Sequence, residues 1–307
     1  MSVLWAFPGQ GAQRPGMLQE LPDAPVVREC LEQASAVLDE EVRGLDSAEA
    51  LRSTRAVQLC LLLAGVATAR WLNQRGHRPD YVAGLSIGAY AAAVVAGAVA
   101  FADAVRLVAL RGELMQRAYP SGYGMTAILG LDQARLEPLL EAAEEPVYLA
   151  NINADNQLVI AGPDRAMAQV AERARALGAS GAKRLAMSVP SHCALLAEPA
   201  AELAQAFAAV AVRAPQVRYL SSSSARLIRD PEILRDDLAF NMSRVVDWQA
   251  TLATAYERGV RLHLELPPGS VLTGLARRVF EPGQAIAWEG TRADTLDAML
   301  RREVTQP

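Results

Sequence analysis

The sequence predicts an α/β protein whose main domain has a mostly parallel sheet and carries an inserted ferredoxin-like (βαββαβ) subdomain. Three observations support this fold class. Short apolar runs that end in glycine-rich turns alternate with helical segments in the outer parts of the chain, which is typical of parallel sheets. The middle of the chain shows the order βαββαβ. A hydrophobic share of 51% over 307 residues supplies a core large enough for both parts.

The first predicted elements are a strand and two helices. Residues 3–7 are apolar and predict a buried strand that stops in the glycine-rich turn Pro8-Gly9-Gln10-Gly11. Helical periodicity follows over residues 26–38 and 56–71, until the polar, proline-containing residues 75–79 break it. Because the strand ends in this turn, backbone N–H groups of the turn are left exposed.

A run without any charged residue extends from residue 81 to residue 102 and is by its length sufficient to cross a bilayer. It consists mostly of Ala and Gly, which insert poorly into lipid. We therefore interpret it as a buried strand over 81–83 followed by a buried helix over 89–99, and we expect no association with a membrane. A second helix is predicted over 101–118.

The middle of the chain predicts a separate small unit over residues 124–189. Its predicted elements are strand 125–131, helix 132–143, strands 147–153 and 157–161, helix 164–177 and strand 183–189. A unit of this size can fold as a compact subdomain, and we take it as an insertion. Residues 1–123 and 190–307 then form the large α/β domain. The later elements predicted for it are helix 194–210, strand 216–221, helix 246–258 and strand 262–266.

Composition and charge exclude several classes of partner. The formal net charge of −4 argues against nucleic acid, because phosphate binding needs a basic face. The three cysteines, Cys30, Cys60 and Cys193, are odd in number and widely spaced, which predicts neither a disulfide framework nor a metal site. A proline and glycines interrupt the first residues, unlike in a secretory signal. We therefore expect a cytoplasmic protein without a bound metal.

The chemistry concentrates in Gly84-x-Ser86-x-Gly88, the pattern of a nucleophile elbow. The flanking glycines allow a turn so sharp that a Cβ atom at either position would clash. The Ser86 hydroxyl then lies at the start of a helix, whose N-terminus stabilises negative charge. The pattern alone is common, and a tight turn with an incidental serine explains it about as well. Its position between a predicted strand and a predicted helix favours the nucleophile.

A serine nucleophile needs a base, and the sequence has only three histidines. His77 lies in a polar turn, which predicts a solvated surface residue. His263 lies in an apolar strand, which predicts a core residue with satisfied hydrogen bonds. His192 follows Val189-Pro190-Ser191 on a loop where the two domains should meet and form a cleft. We therefore predict that His192 is the base.

Five short motifs follow one another along the chain. They are Phe7-Pro8-Gly9-Gln10-Gly11-Ala12-Gln13, the elbow at Ser86, Arg111-Gly112-x-x-Met115, Pro190-Ser191-His192 and Pro268-Gly269-x-x-Leu272. In this order they resemble the malonyl-CoA:acyl carrier protein transacylases, and the resemblance spans nearly the whole chain. It implies a hydrolase-like α/β domain that carries a ferredoxin-like subdomain, in agreement with the elements predicted above.

The resemblance implies a role for each site residue. Ser86 is the nucleophile and His192 its base, and the backbone N–H groups of Gln10 and Ile87 form the oxyanion hole. Arg111 binds the malonyl carboxylate, since its planar cation matches a carboxylate in bidentate fashion. From the residues alone, a solvated helix face explains Arg111 equally well. The resemblance further implies no permanently bound cofactor, malonyl-CoA as substrate, and the prosthetic-group thiol of an acyl carrier protein as acceptor.

Three positions depart from the family pattern. The family usually has histidine before the serine and glutamate after the second glycine, where this chain has Leu85 and Ala89. Asp247 stands where the bacterial fatty-acid enzymes commonly have glutamine, at a position whose backbone carbonyl is implied to orient the catalytic histidine.

The variant elbow resembles the malonate decarboxylase epsilon subunit, a malonyltransferase that loads the decarboxylase's own carrier protein. That carrier is the expected acceptor, with other decarboxylase subunits as further partners. A transacylase of fatty-acid or polyketide synthesis is the alternative.

Two other classes of function share part of the pattern. A serine hydrolase such as a thioesterase would use Ser86 and His192 but would add a carboxylate that orients the histidine, for which Asp155 and Asp164 are available. A non-catalytic subunit that docks a carrier protein is the other class. Arg111 argues against hydrolysis of uncharged acyl groups, because only a carboxylated acyl group would use it.

Overall fold

The computed structural model of the chain describes residues 2–305, and side chains through residue 301. The strands in this range are β1 (Ser2–Phe7), β2 (Tyr81–Gly84), β3 (Tyr123–Leu129), β4 (Tyr148–Ala154), β5 (Gln157–Pro163), β6 (Gly181–Arg184), β7 (Arg218–Leu220), β8 (Leu227–Ile228), β9 (Val246–Asp247), β10 (Val260–Glu265) and β11 (Gln284–Ala287). The α-helices are α1 (Pro25–Leu38), α2 (Thr54–Gln74), α3 (Gly88–Val95), α4 (Phe101–Ala118), α5 (Gln133–Glu141), α6 (Asp164–Ala176), α7 (Ala197–Phe207), α8 (Pro231–Phe240), α9 (Trp248–Glu257), α10 (Val271–Ala276) and α11 (Ala293–Thr305).

The larger sheet has the strand order β11-β10-β1-β2-β7-β8. Its neighbouring strands are parallel except for the short edge strand β8, which is antiparallel to β7. The central strand β1 is buried on both faces. Val3, Trp5 and Phe7 pack into the core on one side, and Leu4 and Ala6 pack into the core on the other. The predicted mostly parallel α/β domain is confirmed.

The charge-free run from residue 81 forms β2, the turn after it and α3, as predicted for a buried strand and helix. From Tyr81 to Ala93 only Leu85 is partly exposed. Among the described helices, α2 alone is long and apolar enough to span a membrane by length and composition, and 83% of its apolar window is buried inside the fold. Because α2 packs against α1, α3 and α4, it is a core helix of the large domain.

The second sheet has the strand order β6-β3-β5-β4-β9. Its first four strands are antiparallel neighbours from residues 123–184, and α5 and α6 pack on them around Ile128, Leu158 and Val170. This arrangement is the predicted ferredoxin-like subdomain. The short strand β9 comes from the large domain and pairs in parallel with β4, which ties the two domains together. The division at residues 123/124 and 189/190 stays a prediction.

Several elements differ from the prediction. The strand predicted over 183–189 ends at Arg184, and residues 185–189 form a loop that leads to His192. The helix predicted over 246–258 begins at Trp248, because Asp247 closes β9 and its carboxylate caps α9 by accepting from the Ala250 N–H at 2.8 Å. The elements β8, α8, α10, β11 and α11 have no predicted counterpart. The elements β8, α10 and β11 have only two to six residues, whereas α8 and α11 are longer amphipathic helices that the prediction missed.

Candidate active site

A sharp turn between β2 and α3 presents Ser86, whose backbone φ of 56° lies in the left-handed region. Neither flanking glycine has space for a side chain. A Cβ at Gly84 would lie 1.9 Å from the Gly88 carbonyl carbon, and one at Gly88 would lie 2.2 Å from the Phe7 oxygen. The turn is held against β1 by the Leu85 N–H, which donates to the Phe7 carbonyl at 2.9 Å. The local sequence therefore forces the serine out of the strand direction.

The His192 ring contacts the serine. Its Nε2 lies 2.8 Å from Ser86 Oγ, and its Nδ1 lies 2.9 Å from the Asn241 carbonyl oxygen and 3.1 Å from that of Arg244. Because carbonyls only accept, Nδ1 carries the ring proton and Nε2 is free to accept the serine proton. The backbone is fixed as well: His192 has a φ of 65°, and its N–H donates to the Met242 carbonyl at 2.7 Å.

Burial keeps the His192 ring neutral. The histidine is 2% exposed, and burial together with the nearby Arg111 cation lowers its pKa to about 4. A neutral imidazole at neutral pH is the form that can accept a proton. The electrostatics therefore suit a general base.

The turn after β1 lies directly against the elbow. A Cβ at Gly9 would meet the Leu85 carbonyl oxygen at 2.9 Å and Ser86 Cβ at 3.5 Å, so only glycine permits this approach. The next residue, Gln10, places its side-chain Oε1 3.2 Å from Gln58 Nε2. Within residues 2–305, neither the Gln10 nor the Ile87 backbone N–H donates to another group of the protein. Both N–H groups are free to bind a ligand oxygen.

Arg111 reaches the serine from α4 and is fully buried, at 0% exposure. Its Nη2 lies 3.4 Å from Ser86 Oγ and 3.3 Å from Asn241 Oδ1. Its Nε and Nη1 have no hydrogen-bond partner in the described part of the chain, and no described carboxylate pairs with it. Burial lowers its pKa to about 10, so the guanidinium stays charged at neutral pH. A buried, incompletely bonded cation beside the serine is suited to an anionic ligand.

The expectation for Asp247 is wrong. Its carbonyl oxygen accepts from Thr251 Oγ1 at 2.6 Å, because Asp247 opens α9 and its carbonyl joins that helix. The carbonyls of Asn241 and Arg244 hold His192 instead. Sequence reasoning missed both residues, since a backbone carbonyl is supplied by any residue type and leaves no sequence signal.

The remaining polar candidates lie away from the serine. Asp155 accepts from Gln249, and Asp164 pairs with Arg184, so neither carboxylate orients His192. His77 is buried and its Nε2 lies 2.8 Å from Asp297 Oδ1, so the predicted surface position is wrong.

His263 is a core residue, as predicted. Its ring nitrogens lack a hydrogen-bond partner among the described residues, however, so the prediction of satisfied hydrogen bonds is wrong.

A groove of about 630 Å³ lies between the two domains. Gln10, the first turn of α2, residues 120–123 and the loop 185–188 line it. The groove therefore borders the turn that contains Gln10 and the segment that leads to His192, whereas Ser86, Arg111 and His192 do not line it. The cleft expected where the domains meet is present.

This fold and this site define an enzyme of the acyl-transfer class. The chain belongs to the acyl transferase family, whose domain model, described as "Acyl transferase domain", matches residues 4–305. It is 39% identical over 285 residues to the malonyl CoA-acyl carrier protein transacylase of Salmonella typhimurium, covering 90% of this chain and 92% of that protein. The family indicated by the five motifs is confirmed.

Solved structures agree with this assignment. The malonyl CoA-acyl carrier protein transacylase of Coxiella burnetii superposes with a TM-score of 0.93 at 35% identity, over 98% of each chain. A malonyl-transacylase solved in complex with a type II PKS acyl-carrier protein gives a TM-score of 0.92 at 36% identity, over 98% of this chain and 100% of that chain. The α/β hydrolase-like fold with a ferredoxin-like subdomain is thereby confirmed.

Proposed function

We propose that the chain transfers a malonyl group from malonyl-CoA, through an ester on Ser86, to the thiol of an acyl carrier protein. One observation carries the choice of acyl group. The buried Arg111 guanidinium lies 3.4 Å from the nucleophile, and two of its nitrogens are unpaired among the described residues. An acyl group with a terminal carboxylate would complete this site, whereas an acetyl group would leave the cation unpaired. The relatives named above support the same substrate.

The first half-reaction loads the serine. Ser86 Oγ attacks the thioester carbonyl carbon while its proton passes to His192 Nε2, and the carbonyl oxygen becomes an oxyanion. The N–H groups of Gln10 and Ile87 stabilise this oxygen, and each such donor is worth roughly 10²- to 10³-fold in rate. The carbon–sulfur bond then breaks, and coenzyme A leaves as a thiol with the proton from His192. Malonyl-Ser86 and a neutral His192 remain.

The second half-reaction reverses the first with a different thiol. The carrier thiol gives its proton to His192 Nε2 and its sulfur attacks the ester carbonyl carbon. When the carbon–oxygen bond breaks, Ser86 Oγ takes the proton back from His192. Malonyl carrier protein is released, the enzyme returns to its starting state, and the kinetics are ping-pong.

Two carriers are candidates for the acceptor. The relatives support an acyl carrier protein of fatty-acid or polyketide synthesis, and this is the better-supported assignment. The carrier of malonate decarboxylase, with its other subunits as partners, is the second candidate and is favoured by the elbow residues Leu85 and Ala89. Ala89 is fully buried in α3, so the glutamate usual at this position would require a different environment.

A transfer assay tests the proposal and distinguishes the acceptors. Each purified carrier is mixed with malonyl-CoA and enzyme, and free coenzyme A and the carrier mass are followed together. We expect one malonyl-carrier for each coenzyme A released, and no turnover by Ser86→Ala. Coenzyme A release without malonyl-carrier would identify a hydrolase, and no release at all would identify a docking subunit. The carrier with the higher kcat/KM is the physiological class of acceptor.

A further inference from the structure

Asn241 connects the two sides of the active site. Its backbone oxygen lies 2.9 Å from His192 Nδ1, and its side-chain Oδ1 lies 3.3 Å from Arg111 Nη2. The residue is 1% exposed. One buried residue thus contacts the base through its main chain and the buried arginine through its side chain.

The orientation of the Asn241 amide follows from its neighbour. A guanidinium has donors only, so the amide oxygen must face Arg111 and the amide nitrogen must point elsewhere. No described residue accepts a hydrogen bond from Nδ2. Because a buried N–H without an acceptor is costly, this nitrogen is an unused donor beside the serine and the arginine.

We infer that Asn241 Nδ2 donates to the carboxylate of the acyl group, so that Asn241 determines acyl specificity together with Arg111. The inference rests on the proposed function, which supplies the carboxylate. A carboxylate has about four acceptor positions, and a bidentate arginine uses two of them. Nη2 with one of the unpaired nitrogens of Arg111 can supply the bidentate pair, and the Asn241 amide nitrogen adds a further donor for the same anionic group.

Hydrogen bonds at the end of α8 fix the position of the Asn241 amide. Asn241 directly follows α8, and Asp237, one turn earlier, accepts hydrogen bonds from Ser221 Oγ at 2.6 Å and from the Tyr219 hydroxyl at 3.2 Å. These bonds fix the end of α8 to β7 and to the turn after it. A rigid support of this kind is what a recognition group requires.

The test compares malonyl-CoA with acetyl-CoA as donors for Asn241→Leu, which keeps the main-chain carbonyl and the approximate size of the side chain. We expect kcat/KM for malonyl-CoA to fall about 10- to 100-fold, the range of a hydrogen bond to a charged group, and kcat/KM for acetyl-CoA to fall less, so that the ratio of the two decreases. Asn241→Asp should reduce malonyl transfer further, because its carboxylate competes for Arg111.

Asn73→Ala is the matched control. Asn73 also has a buried side-chain oxygen without a described partner, but it lies in the last turn of α2, about 22 Å along the helix from Gln58. We expect it to leave the preference for malonyl over acetyl unchanged. If Asn241→Leu does not fold, as judged by circular dichroism, Asn241→Ala replaces it.

A parallel loss on both donors in the Asn241 variants would overturn the inference, because it would mean that Asn241 acts only through His192. A wild-type enzyme without any preference for malonyl over acetyl would contradict the proposed function itself. The two failures are therefore distinguishable in the same experiment.

Discussion

Two regions of the interior each hold a fully buried charged side chain, and they differ in how that charge is satisfied. The Glu265 carboxylate, at the end of β10, accepts from the Leu272 and Thr273 N–H groups at 3.1 and 2.6 Å and from Thr273 Oγ1 at 2.7 Å. Arg111 has two long hydrogen bonds, a distant contact with the Tyr90 ring and two nitrogens without a described hydrogen-bond partner. The protein completes the hydrogen bonding of the first site itself and leaves that of the second incomplete. In the proposed function the first site is structural and the second binds the acyl carboxylate.

The largest expected effect comes from removing the Arg111 cation, whose hydrogen bonding is incomplete. In Arg111→Met the partner of the acyl carboxylate is lost, so the ratio of kcat/KM for malonyl-CoA to that for acetyl-CoA should fall on the order of 10²-fold or more. The free energy of unfolding should stay the same or rise, since a buried, poorly paired cation is replaced by an apolar side chain. Steady-state kinetics and urea unfolding measure the two quantities. A large loss of stability with an unchanged ratio of kcat/KM values would show that Arg111 has a structural role and does not select the acyl group.

Removing the fully hydrogen-bonded Glu265 carboxylate should lower the free energy of unfolding and leave the preference for malonyl over acetyl unchanged. Glu265→Ala leaves two backbone N–H groups and a hydroxyl without their acceptor at the start of α10, and we expect a loss of about 3 kcal/mol in the free energy of unfolding. The ratio between the two donors should not change in the folded enzyme. A changed ratio without destabilisation would show that Glu265 belongs to the binding site.

A small dicarboxylate that binds at Arg111 should raise the thermal stability of the protein only when Arg111 is present. Malonate at ten times its Kd contributes about 1.4 kcal/mol, which corresponds to a rise in Tm of about 2 °C for a chain of this size. We expect this shift in the wild type and in Glu265→Ala, and no shift in Arg111→Met. Differential scanning fluorimetry measures it, with acetate as the control ligand. An equal shift in Arg111→Met would place the anion elsewhere.

The smallest effect concerns the pH at which His192 becomes protonated and can no longer accept the serine proton. Burial and the Arg111 cation lower the pKa of His192 to about 4, so acylation should hold from pH 8 down to pH 5 and fall as the pH approaches 4. Arg111→Met removes the second cause, and the acid limb should move to higher pH by less than the total shift. The rate of Ser86 acylation after brief pH jumps measures it. A half-point near 6.5 in the wild type would contradict the burial of the base.

The same pKa affects stability. His192 is neutral in the fold but titrates near pH 6.5 when unfolded, so the unfolded chain binds more protons between about pH 6.5 and 4. Its stabilising contribution is therefore present above pH 6.5 and is lost as the pH falls through 4. Urea unfolding of the wild type and of His192→Asn at pH 7 and pH 5 measures this decline, because contributions from other buried groups such as His263 are common to both proteins. We expect a smaller decline in His192→Asn, and an equal decline in both would contradict the assignment.

The sequence predicted the parts of the fold whose patterns are strong and local. The central strands, the apolar helix after the elbow and the βαββαβ unit follow from periodicity and glycine placement. The short elements β8, β9 and α10 did not, because they have two, two and six residues, too few to show a period. Ser86 and His192, which lie in contact in the structure, were predicted as a pair because their chemistry requires particular residue types and few candidates exist.

The groups that orient the base could not be predicted. The carbonyls of Asn241 and Arg244 come from a short connection between α8 and β9, and their position depends on how α8 packs. The Asn241 side chain is similarly invisible, since an asparagine in a loop is usually a turn residue. His77 was misjudged because its partner, Asp297, lies 220 positions away in α11.

The central claim is that Ser86 carries a malonyl group selected by a buried cation. The most direct test is intact-protein mass spectrometry after brief mixing with equal concentrations of malonyl-CoA and acetyl-CoA. We expect wild-type protein to carry mainly one malonyl adduct and Ser86→Ala to carry none. Equal malonyl and acetyl adducts on the wild type, or a malonyl adduct on Ser86→Ala, would contradict the claim.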